Sequence, residues 1–230
     1  MTTGHASIGA IEWLIGCEES GAVRDAFLAR GIPAVSCDLL PSRSDRGEHL
    51  QCDIFDALAS RQWAGLIAFP TCTYLTCSAE WAYGDGPYHQ KVKPGTKVGA
   101  ERRDARDQAI AFVLRIWNCG LDKVAIENPV GVLSRHLGPP QVVQPYMFGD
   151  DASKATCIWA KGLHPIPIPP RDRWFPPRMV NGRPRWGNQT DSGQNRLPPS
   201  PKRQRDRSRT FPGIAAAVAQ WAPTQDTDRI

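Results

Sequence analysis

A cysteine and a glutamate, each placed after an apolar run, are the side chains best suited to covalent chemistry in this sequence. Cys72 follows Phe69-Pro70-Thr71, and a loop thiol next to a strand end can act as a nucleophile once it is deprotonated. Cys77 competes for this role, and a buried inert thiol is the alternative for both. Glu127 stands in Ile126-Glu127-Asn128-Pro129; apart from a structural capping or ion-pair role, a desolvated carboxyl group can protonate a ring nitrogen. Together, such a thiol and acid would activate a pyrimidine, the thiol adding to C6 while the acid holds N3.

A second set of residues indicates a pocket for a nucleoside-bearing cofactor. The first predicted strand ends in the turn Gly16-Cys17-Glu18-Glu19-Ser20-Gly21, whose glycines let the backbone bend close to a ligand. Asp38, after the second strand, could accept both hydrogen bonds of a ribose diol, and Asp53, after the third, could contact an adenine edge. The two glutamates of the turn would repel a pyrophosphate, which argues against NAD. S-adenosylmethionine, which has a ribose, an adenine and an ammonium group but no phosphate, suits an acidic turn; solvated glutamates in an ordinary turn are the alternative.

The pattern of apolar runs and helical periods predicts an α/β fold with a mostly parallel sheet covered on both faces. Ligands bind beyond the carboxyl ends of the strands in such sheets, so the residues named above should meet at one edge. Residues 165–201 are rich in Pro, Arg, Gly and Asn and predict sparse regular structure. The predicted strands are 11–15, 34–37, 50–54, 65–69 and 124–126, and the predicted helices are 22–29, 55–60, 100–119 and 214–221, the last docking on the main domain.

Charge is distributed unevenly along the chain. The formal net charge is +5, yet residues 171–209 alone hold eleven basic residues against three acids. Such asymmetry is typical of a protein that binds a polyanion, and a solvated or partly disordered basic stretch is the alternative.

Composition also excludes some classes of protein. No apolar run approaches the length of a membrane span, and residues 1–10 lack the order of a signal peptide. The seven cysteines are an odd number and include no Cys-x-x-Cys pair, which favours reduced thiols and argues against a zinc site. We therefore expect a cytoplasmic protein with no membrane partner and no metal.

Taken in order, these residues resemble the DNA cytosine-5 methyltransferase family over about residues 11–160. Pro70-Thr71-Cys72 corresponds to its Pro-Pro-Cys nucleophile motif, with Thr76 for a later serine, and Glu127-Asn128-Pro129 corresponds to its Glu-Asn-Val motif. Ala152-Ser153-Lys154-Ala155-Thr156 is the counterpart of its Gln-x-Arg-x-Arg motif, so Lys154 would replace an arginine near the base. The match assigns the nucleophile role to Cys72 rather than Cys77.

The resemblance implies a Rossmann-like, S-adenosylmethionine-dependent methyltransferase sheet with a small irregular basic appendage. Residues 1–160 would form the catalytic domain, 161–209 a reduced target-recognition segment that contacts double-stranded DNA, and 210–222 a helix that docks on the catalytic domain. The expected protein is a compact, phage-type monomer acting in the host cytoplasm. Its catalytic residues would be Cys72, Glu127 and Lys154, and its cofactor residues Gly16, Cys17, Glu18, Gly21, Asp38, Asp53 and Pro70.

Two further expectations accompany the resemblance. The Gly-rich basic loop 84–99 would close over the DNA, and Trp81, Tyr83 and Tyr88 would stack on the flipped base or replace it, although plain surface-loop and packing roles are the alternatives. Two other functions stay open: an enzyme of the same fold that modifies RNA cytosine or another pyrimidine, and a catalytically silent DNA-binding relative.

Overall fold

The computed structural model of the protein describes residues 11–198, 200 and 203–223. The expectation concerning a signal peptide at residues 1–10, and the contribution of Lys202 to the basic segment, lie outside the described residues.

The fold is α/β, and its main sheet is mostly parallel, as predicted. The strands lie side by side in the order β3-β2-β1-β4-β5-β7-β6. Strands β1 to β5 pair in parallel, whereas β7 runs antiparallel to both of its neighbours. The seven strands are β1 Trp13–Gly16, β2 Ala34–Asp38, β3 His49–Gln51, β4 Gly65–Ala68, β5 Val124–Pro129, β6 Gln141–Val143 and β7 Thr156–Lys161.

The structure differs from the sequence-based expectation at β5 to β7. Strands β6 and β7 were not predicted, and β5 runs to Pro129 rather than ending at Ile126. The reason is tertiary: β7 pairs with the whole length of β5, including Glu127 opposite Ile158. Glu127 therefore lies within a strand, not after it.

Helices cover both faces of the sheet. Residues alternate along β1, so that Leu14 packs with the cluster that contains Val113 and Ile116 of α3, while Ile15 packs with Phe27 of α1. Helix α6 lies against α1 and buries Val218 and Trp221 in the second cluster. The helices are α1 Ala22–Leu28, α2 Ile54–Ser60, α3 Gly99–Trp117, α4 Ser134–Leu137, α5 Arg203–Ser208 and α6 Pro212–Trp221, with one-turn 3₁₀ helices at Glu80–Tyr83, Pro145–Phe148 and Arg171–Arg173.

The basic segment contains a small antiparallel ribbon within otherwise irregular chain. Strands β8 (Arg178–Val180) and β9 (Arg183–Arg185) pair with each other. Asn181 and Gly182 connect them with φ angles of 49° and 72°, the left-handed values that an Asn-Gly hairpin turn requires. The expectation of sparse regular structure thus holds, with this hairpin as an element that it did not include.

Candidate active site

Three strands deliver the predicted catalytic residues to one edge of the sheet. In the parallel pair β4–β5, Ala68 lies opposite Ile126, so the loop after β4 begins beside Glu127. Strand β7 is antiparallel and pairs Thr156 with Pro129, which brings its amino end to the edge where β4 and β5 finish. Lys154, just before β7, therefore reaches the same place as Cys72 and Glu127.

The loop of residues 69–77 after β4, called the Cys72 loop below, is held by hydrogen bonds at its start and along its length. The carbonyl oxygen of Cys72 accepts from the backbone N–H groups of Leu75 and Thr76, at 3.0 and 3.1 Å. Asn128, almost fully buried on β5, donates from Nδ2 to the Pro70 carbonyl oxygen at 2.7 Å. Gly131 bridges to Thr76, and a Cβ there would lie 1.9 Å from the Leu75 carbonyl oxygen. This loop and the segment that follows β5 are packed too closely for any side chain at position 131.

Opposing charges act on the Cys72 thiol. Burial raises its pKa, and the Glu127 carboxylate raises it further, while the cations of Lys154 and Arg207 lower it. The net effect is a pKa of Cys72 above its ordinary value, because burial and Glu127 outweigh the two cations. Arg207 is a residue that sequence reasoning missed, because it lies in α5, within the basic segment.

Glu127 lies in surroundings that favour its protonated form. Its side chain lines a small apolar cavity together with Ile67, Phe69 and Trp221. Burial raises the pKa of the Glu127 carboxyl group, and Lys154 and the Thr156 hydroxyl group only partly oppose that effect. A carboxyl group needs a raised pKa to act as a general acid near neutral pH, and Glu127 meets this requirement.

Lys154 is fixed at its backbone and at its side chain. Its N–H donates to Gln144 Oε1 at 2.9 Å, and its ammonium Nζ donates to the carbonyl oxygen of Arg207 at 3.2 Å. The second contact joins Lys154 to α5, so the basic segment closes one side of the site.

The predicted cofactor residues Cys17, Asp38 and Asp53 come together at the neighbouring strand ends. Cys17 follows Gly16 and adopts a left-handed φ of 56°, which turns the chain sharply at the end of β1. Burial raises the pKa of the Cys17 thiol to about 12, with contributions from the carboxylates of Asp38 and Asp53. A thiol of such high pKa is a poor nucleophile, so the position of Cys17 favours a role in the wall of the proposed cofactor site.

Each of the two aspartates is already engaged by a backbone donor. Asp38 Oδ1 accepts from the N–H of Leu40 at 2.9 Å, and burial raises the pKa of this carboxyl group. Asp53 is the N-cap of α2 and accepts from the N–H of Phe55 at 2.8 Å. Asp53 therefore has a structural role in addition to any contact with an adenine edge.

The glutamates of the turn are not solvated. Glu18 is 3% exposed, and its Oε1 accepts from Ser20 Oγ at 2.8 Å and from the N–H of Val23 at 3.0 Å. Its Oε2 is buried without a hydrogen-bond partner among the described residues, and burial raises the pKa of the carboxyl group. The turn closes at Gly21, the N-cap of α1, with a φ of 71°.

Glu19 makes ion pairs that hold α5 over the turn. Its carboxylate contacts Arg43 at 2.5 Å and also Arg205 of α5, and these guanidinium groups lower its pKa. Arg43 in turn contacts Asp206 at 3.4 Å. Helix α5 thus spans the site, with Arg205 at the Gly16–Gly21 turn and Arg207 near Cys72.

The aromatic residues after Cys72 pack against neighbouring side chains and backbone. Tyr83 donates to the Tyr74 carbonyl oxygen at 3.0 Å, and the guanidinium of Arg106 lies 3.3 Å from the Tyr83 ring centroid. Trp81 packs edge-on against Tyr88, with 5.7 Å between ring centroids. Tyr83 is therefore held between the Cys72 loop and α3, where stacking on a flipped base would require these contacts to break.

The molecule has one further groove away from this site among the described residues. A groove of about 300 Å³ lies beside β6 and β7 between Trp117, Leu137 and Trp159, and none of the predicted site residues lines it. Within the described residues, no cluster of His, Cys, Asp and Glu could hold a metal ion, and no helix is long and apolar enough to cross a membrane. No protein-family model matches the chain, and no curated protein matches it either.

Proposed function

We propose that this protein transfers a methyl group from S-adenosylmethionine to C5 of cytosine in double-stranded DNA, through a covalent intermediate on Cys72. The observation that carries the proposal is the convergence of Cys72, Glu127 and Lys154 at one sheet edge, next to the ends of the strands that are followed by Glu18, Asp38 and Asp53. A thiol, an acid and a cation at one place suit pyrimidine C5 chemistry.

The sheet order also supports this reading. An all-parallel dinucleotide-binding sheet has the order 3-2-1-4-5-6, whereas here an antiparallel β7 is inserted between β5 and β6. Such an inserted reversed strand is typical of the S-adenosylmethionine-dependent methyltransferase sheets that the family resemblance implies. It also delivers Lys154 to the site.

The residues at the first turn fit this cofactor better than they fit a dinucleotide. Glu18 occupies the N-terminus of α1 with one oxygen, where a pyrophosphate would otherwise bind. Its second oxygen, buried and without a partner among the described residues, suits the ammonium group of the methionine moiety. Asp38 would hold the ribose, Asp53 the adenine, and Gly16, Cys17, Gly21 and Pro70 would form the walls. When bound, the cofactor supplies an electrophilic methyl group on its sulfonium.

The protein's own residues would carry the remaining steps. The Cys72 thiolate adds to C6 of the base, and the C5–C6 electron pair becomes available at C5 as the protonated Glu127 donates a hydrogen bond at N3. The cofactor would supply the methyl group that C5 takes, and its sulfur would be left as a neutral thioether. The C5 proton would then pass to a water molecule, the C5–C6 double bond would re-form, and the Cys72 thiolate would be expelled. Lys154 stabilises the thiolate before attack and after release.

The ionisation of Glu127 suits this sequence of events, whereas that of Cys72 must be shifted. An ordinary glutamate is deprotonated and an ordinary cysteine protonated at neutral pH, whereas the reaction needs the reverse. Burial raises the pKa of Glu127 towards the reactive state, but burial also holds the pKa of Cys72 above its ordinary value. Protonation of Glu127 removes one of the two influences that raise the pKa of Cys72, and Lys154 and Arg207 act in the same direction.

DNA is proposed as the substrate because the basic segment lies over this site. Arg205 and Arg207 reach the cofactor turn and the nucleophile from α5, and the ribbon β8–β9 adds Arg178, Arg183 and Arg185 nearby in the chain. Such cations bind phosphates of a nucleic acid regardless of sequence. A small appendage offers little surface for reading bases, so the target sequence should be short or loosely defined.

Label transfer from tritiated S-adenosylmethionine tests the proposal. The protein is incubated with duplex DNA or with RNA, and the nucleic acid is digested to identify the labelled nucleoside. Label in 5-methylcytosine from DNA is expected. Label in RNA alone would replace the substrate by RNA cytosine, and no label in either would leave the catalytically silent, DNA-binding alternative. Duplex DNA that contains 5-fluorocytosine should trap a covalent Cys72 adduct, because fluorine cannot leave C5 as a proton does.

A further inference from the structure

The segment that leads into Lys154 is held by three consecutive residues of the basic appendage. Trp186 stacks on Tyr146 with 4.1 Å between ring centroids and 10° between the ring planes. The N–H of Gly187 donates to Asp151 Oδ1 at 2.6 Å. Asn188 then binds the backbone of Ser153, the residue before Lys154. These three residues, 186–188, are called the anchor below.

Asn188 makes the most specific of these contacts. The Ser153 N–H donates to Asn188 Oδ1, and Asn188 Nδ2 donates to the Ser153 carbonyl oxygen, both at 2.9 Å. A side-chain amide that bonds both polar groups of one residue fixes the position and the rotation of that peptide. An aspartate or an alanine could not make both bonds.

The chain around Lys154 needs such support because it lies outside regular structure. Residues 152–155 follow a bend and precede β7 without helical or ladder hydrogen bonds of their own. Gln144 Oε1 receives the Lys154 N–H, and the Thr156 hydroxyl group donates to the Lys154 carbonyl oxygen at 3.1 Å. With Asn188 at Ser153, the backbone on both sides of the Lys154 side chain is fixed.

The anchor packs too closely for a larger residue at its centre. A Cβ at Gly187 would lie 2.4 Å from Asp151 Oδ2, so an alanine there would displace the carboxylate that receives the Gly187 N–H. The same stretch continues directly from β9, the second strand of the basic ribbon. The ribbon and the catalytic lysine are therefore joined through a short, tightly packed connection.

We infer that Asn188 is a positioning residue, which holds Lys154 against Cys72 and Glu127 and joins the position of the β8–β9 ribbon to the catalytic centre. It acts through Lys154 and contacts neither reactive atom. The inference rests on the proposed function for its kinetic consequence, but its effect on Cys72 can be measured without substrate or cofactor.

The test measures the rate of Cys72 alkylation by iodoacetamide as a function of pH, with peptide mass spectrometry to separate Cys72 from the other cysteines. Asn188→Ala should shift the Cys72 profile to higher pH, because a displaced Lys154 no longer favours the thiolate. Lys154→Gln should shift it in the same direction. In the double variant Asn188→Ala/Lys154→Gln, the shift should equal that of Lys154→Gln alone, since Asn188 acts through the lysine.

A matched control exists elsewhere in the sheet. Gln141 bonds the N–H and the carbonyl oxygen of Ile166 at 2.8 and 2.9 Å, the same two-way contact at a distance from the site. Gln141→Ala should leave the alkylation profile of Cys72 unchanged. If Asn188→Ala unfolds the chain, Asn188→Asp, which keeps the acceptor for the Ser153 N–H, takes its place, with thermal unfolding as the check on folding.

Two results would overturn the inference. The first is an alkylation profile of the folded Asn188 variant that is identical to that of the wild type. The second is that Asn188→Ala shifts the profile of the Lys154→Gln variant as much as it shifts the profile of the wild type. Where methyl transfer is observed, Asn188→Ala should lower kcat about tenfold to a hundredfold, as small displacements of catalytic groups do. The KM for the cofactor should stay unchanged. A loss of kcat without a change in alkylation would also count against it. Absence of methyl transfer in the wild type would reject the proposed function while leaving the alkylation test intact.

Discussion

Asn128 donates a hydrogen bond from Nδ2 to the carbonyl oxygen of Pro70, 2.7 Å away, and so ties the strand that carries Glu127 to the loop that carries Cys72. The donor is on β5, and the acceptor lies two residues after the end of β4 and two residues before Cys72. Because both groups are buried, water does not compete for this bond. This bond between the Asn128 side chain and the Pro70 backbone helps to set the spacing of Glu127 and Cys72, independently of any substrate.

Replacement of Asn128 by leucine should disturb catalysis and stability together. The buried Pro70 carbonyl oxygen would lose its partner, at a cost of about 1–3 kcal/mol in the free energy of unfolding. We expect a lower denaturation midpoint and a loss of methyl transfer that persists well below that midpoint. Asn118→Ala, which removes an exposed side-chain bond at the end of α3, is the control. Full activity of folded Asn128→Leu would show that the tie is dispensable.

Cys72→Ser should abolish methyl transfer and covalent trapping, because a serine hydroxyl group is a far weaker nucleophile than a thiolate. Cys77→Ser is the matched control. Cys77 is exposed and its thiol donates to the Val130 carbonyl oxygen, so its loss should leave transfer near wild type. The two variants are compared by tritium incorporation at equal protein concentration. Activity in Cys72→Ser and its loss in Cys77→Ser would reverse the assignment.

The charges around Cys72 predict opposite pH shifts for two variants. Above the raised pKa of Glu127, where its carboxyl group is ionised, Glu127→Gln removes a negative charge, so the pKa of the Cys72 thiol should fall and its alkylation profile should move to lower pH. Lys154→Gln removes a positive charge and should move the profile to higher pH. Both follow from the influences on this thiol. Shifts in the same direction would mean that one of these side chains does not face Cys72.

Asp53 permits a separation of structural and cofactor roles. Asp53→Ala removes the N-cap of α2 and should lower the free energy of unfolding by about 1 kcal/mol. Asp53→Asn retains a capping oxygen and should keep the stability, while it weakens cofactor binding by loss of the acceptor at the adenine edge. Calorimetric titration with S-adenosylmethionine and thermal unfolding measure the two effects. Unchanged affinity in both variants would restrict Asp53 to the cap.

Helix α5 should detach from the site when its ion pair with Glu19 is removed. Arg205→Gln should increase hydrogen exchange across residues 203–208, whereas Arg178→Gln, which breaks the Arg178–Asp191 pair of the ribbon, should leave that exchange unchanged. The Glu19 pKa is lowered in the folded state, so this contact contributes above the ordinary pKa of a glutamate and is lost as the pH falls through the lowered value. Protection of α5 in the wild type, measured relative to the intrinsic exchange rate at each pH, should therefore fall in acid. Equal protection of α5 in Arg205→Gln and wild type would contradict the contact.

Much of the site could be predicted because its residues follow apolar runs. Asp38, Cys72 and Glu127 each come at or just beyond buried strands, and parallel strands end at one edge. Neither Lys154 nor Arg207 follows from such a rule. Lys154 lies before an antiparallel strand whose pairing depends on the distant β5, and only the family resemblance pointed to it. Arg207 reaches the site from a segment without periodicity.

Two features of the structure were not predicted from the sequence: the hairpin β8–β9 and the surroundings of the acidic turn. The Asn181-Gly182 pair is a hairpin signal, but its flanking strands contain Arg and Pro and lack the alternation that marks a strand. The acidic turn was expected to face solvent or ligand, yet Glu18 caps a helix and Glu19 pairs with arginines distant in sequence. Contacts between distant segments decide such environments, and they leave no trace in local composition.

The packing of α6 on α1 has a consequence for how the protein is made. These two helices stand at opposite ends of the described chain, so a ribosome exposes Phe27 and its neighbours long before Val218 and Trp221 arrive to cover them. Domains form as units once their contacts are available. Until α6 is synthesised, the part of this cluster that it covers stays exposed to solvent. The stretch just before α6 also brings Arg205 and Arg207 to the site. Under the proposed function, the site would therefore be completed only after α5 and α6 have emerged from the ribosome.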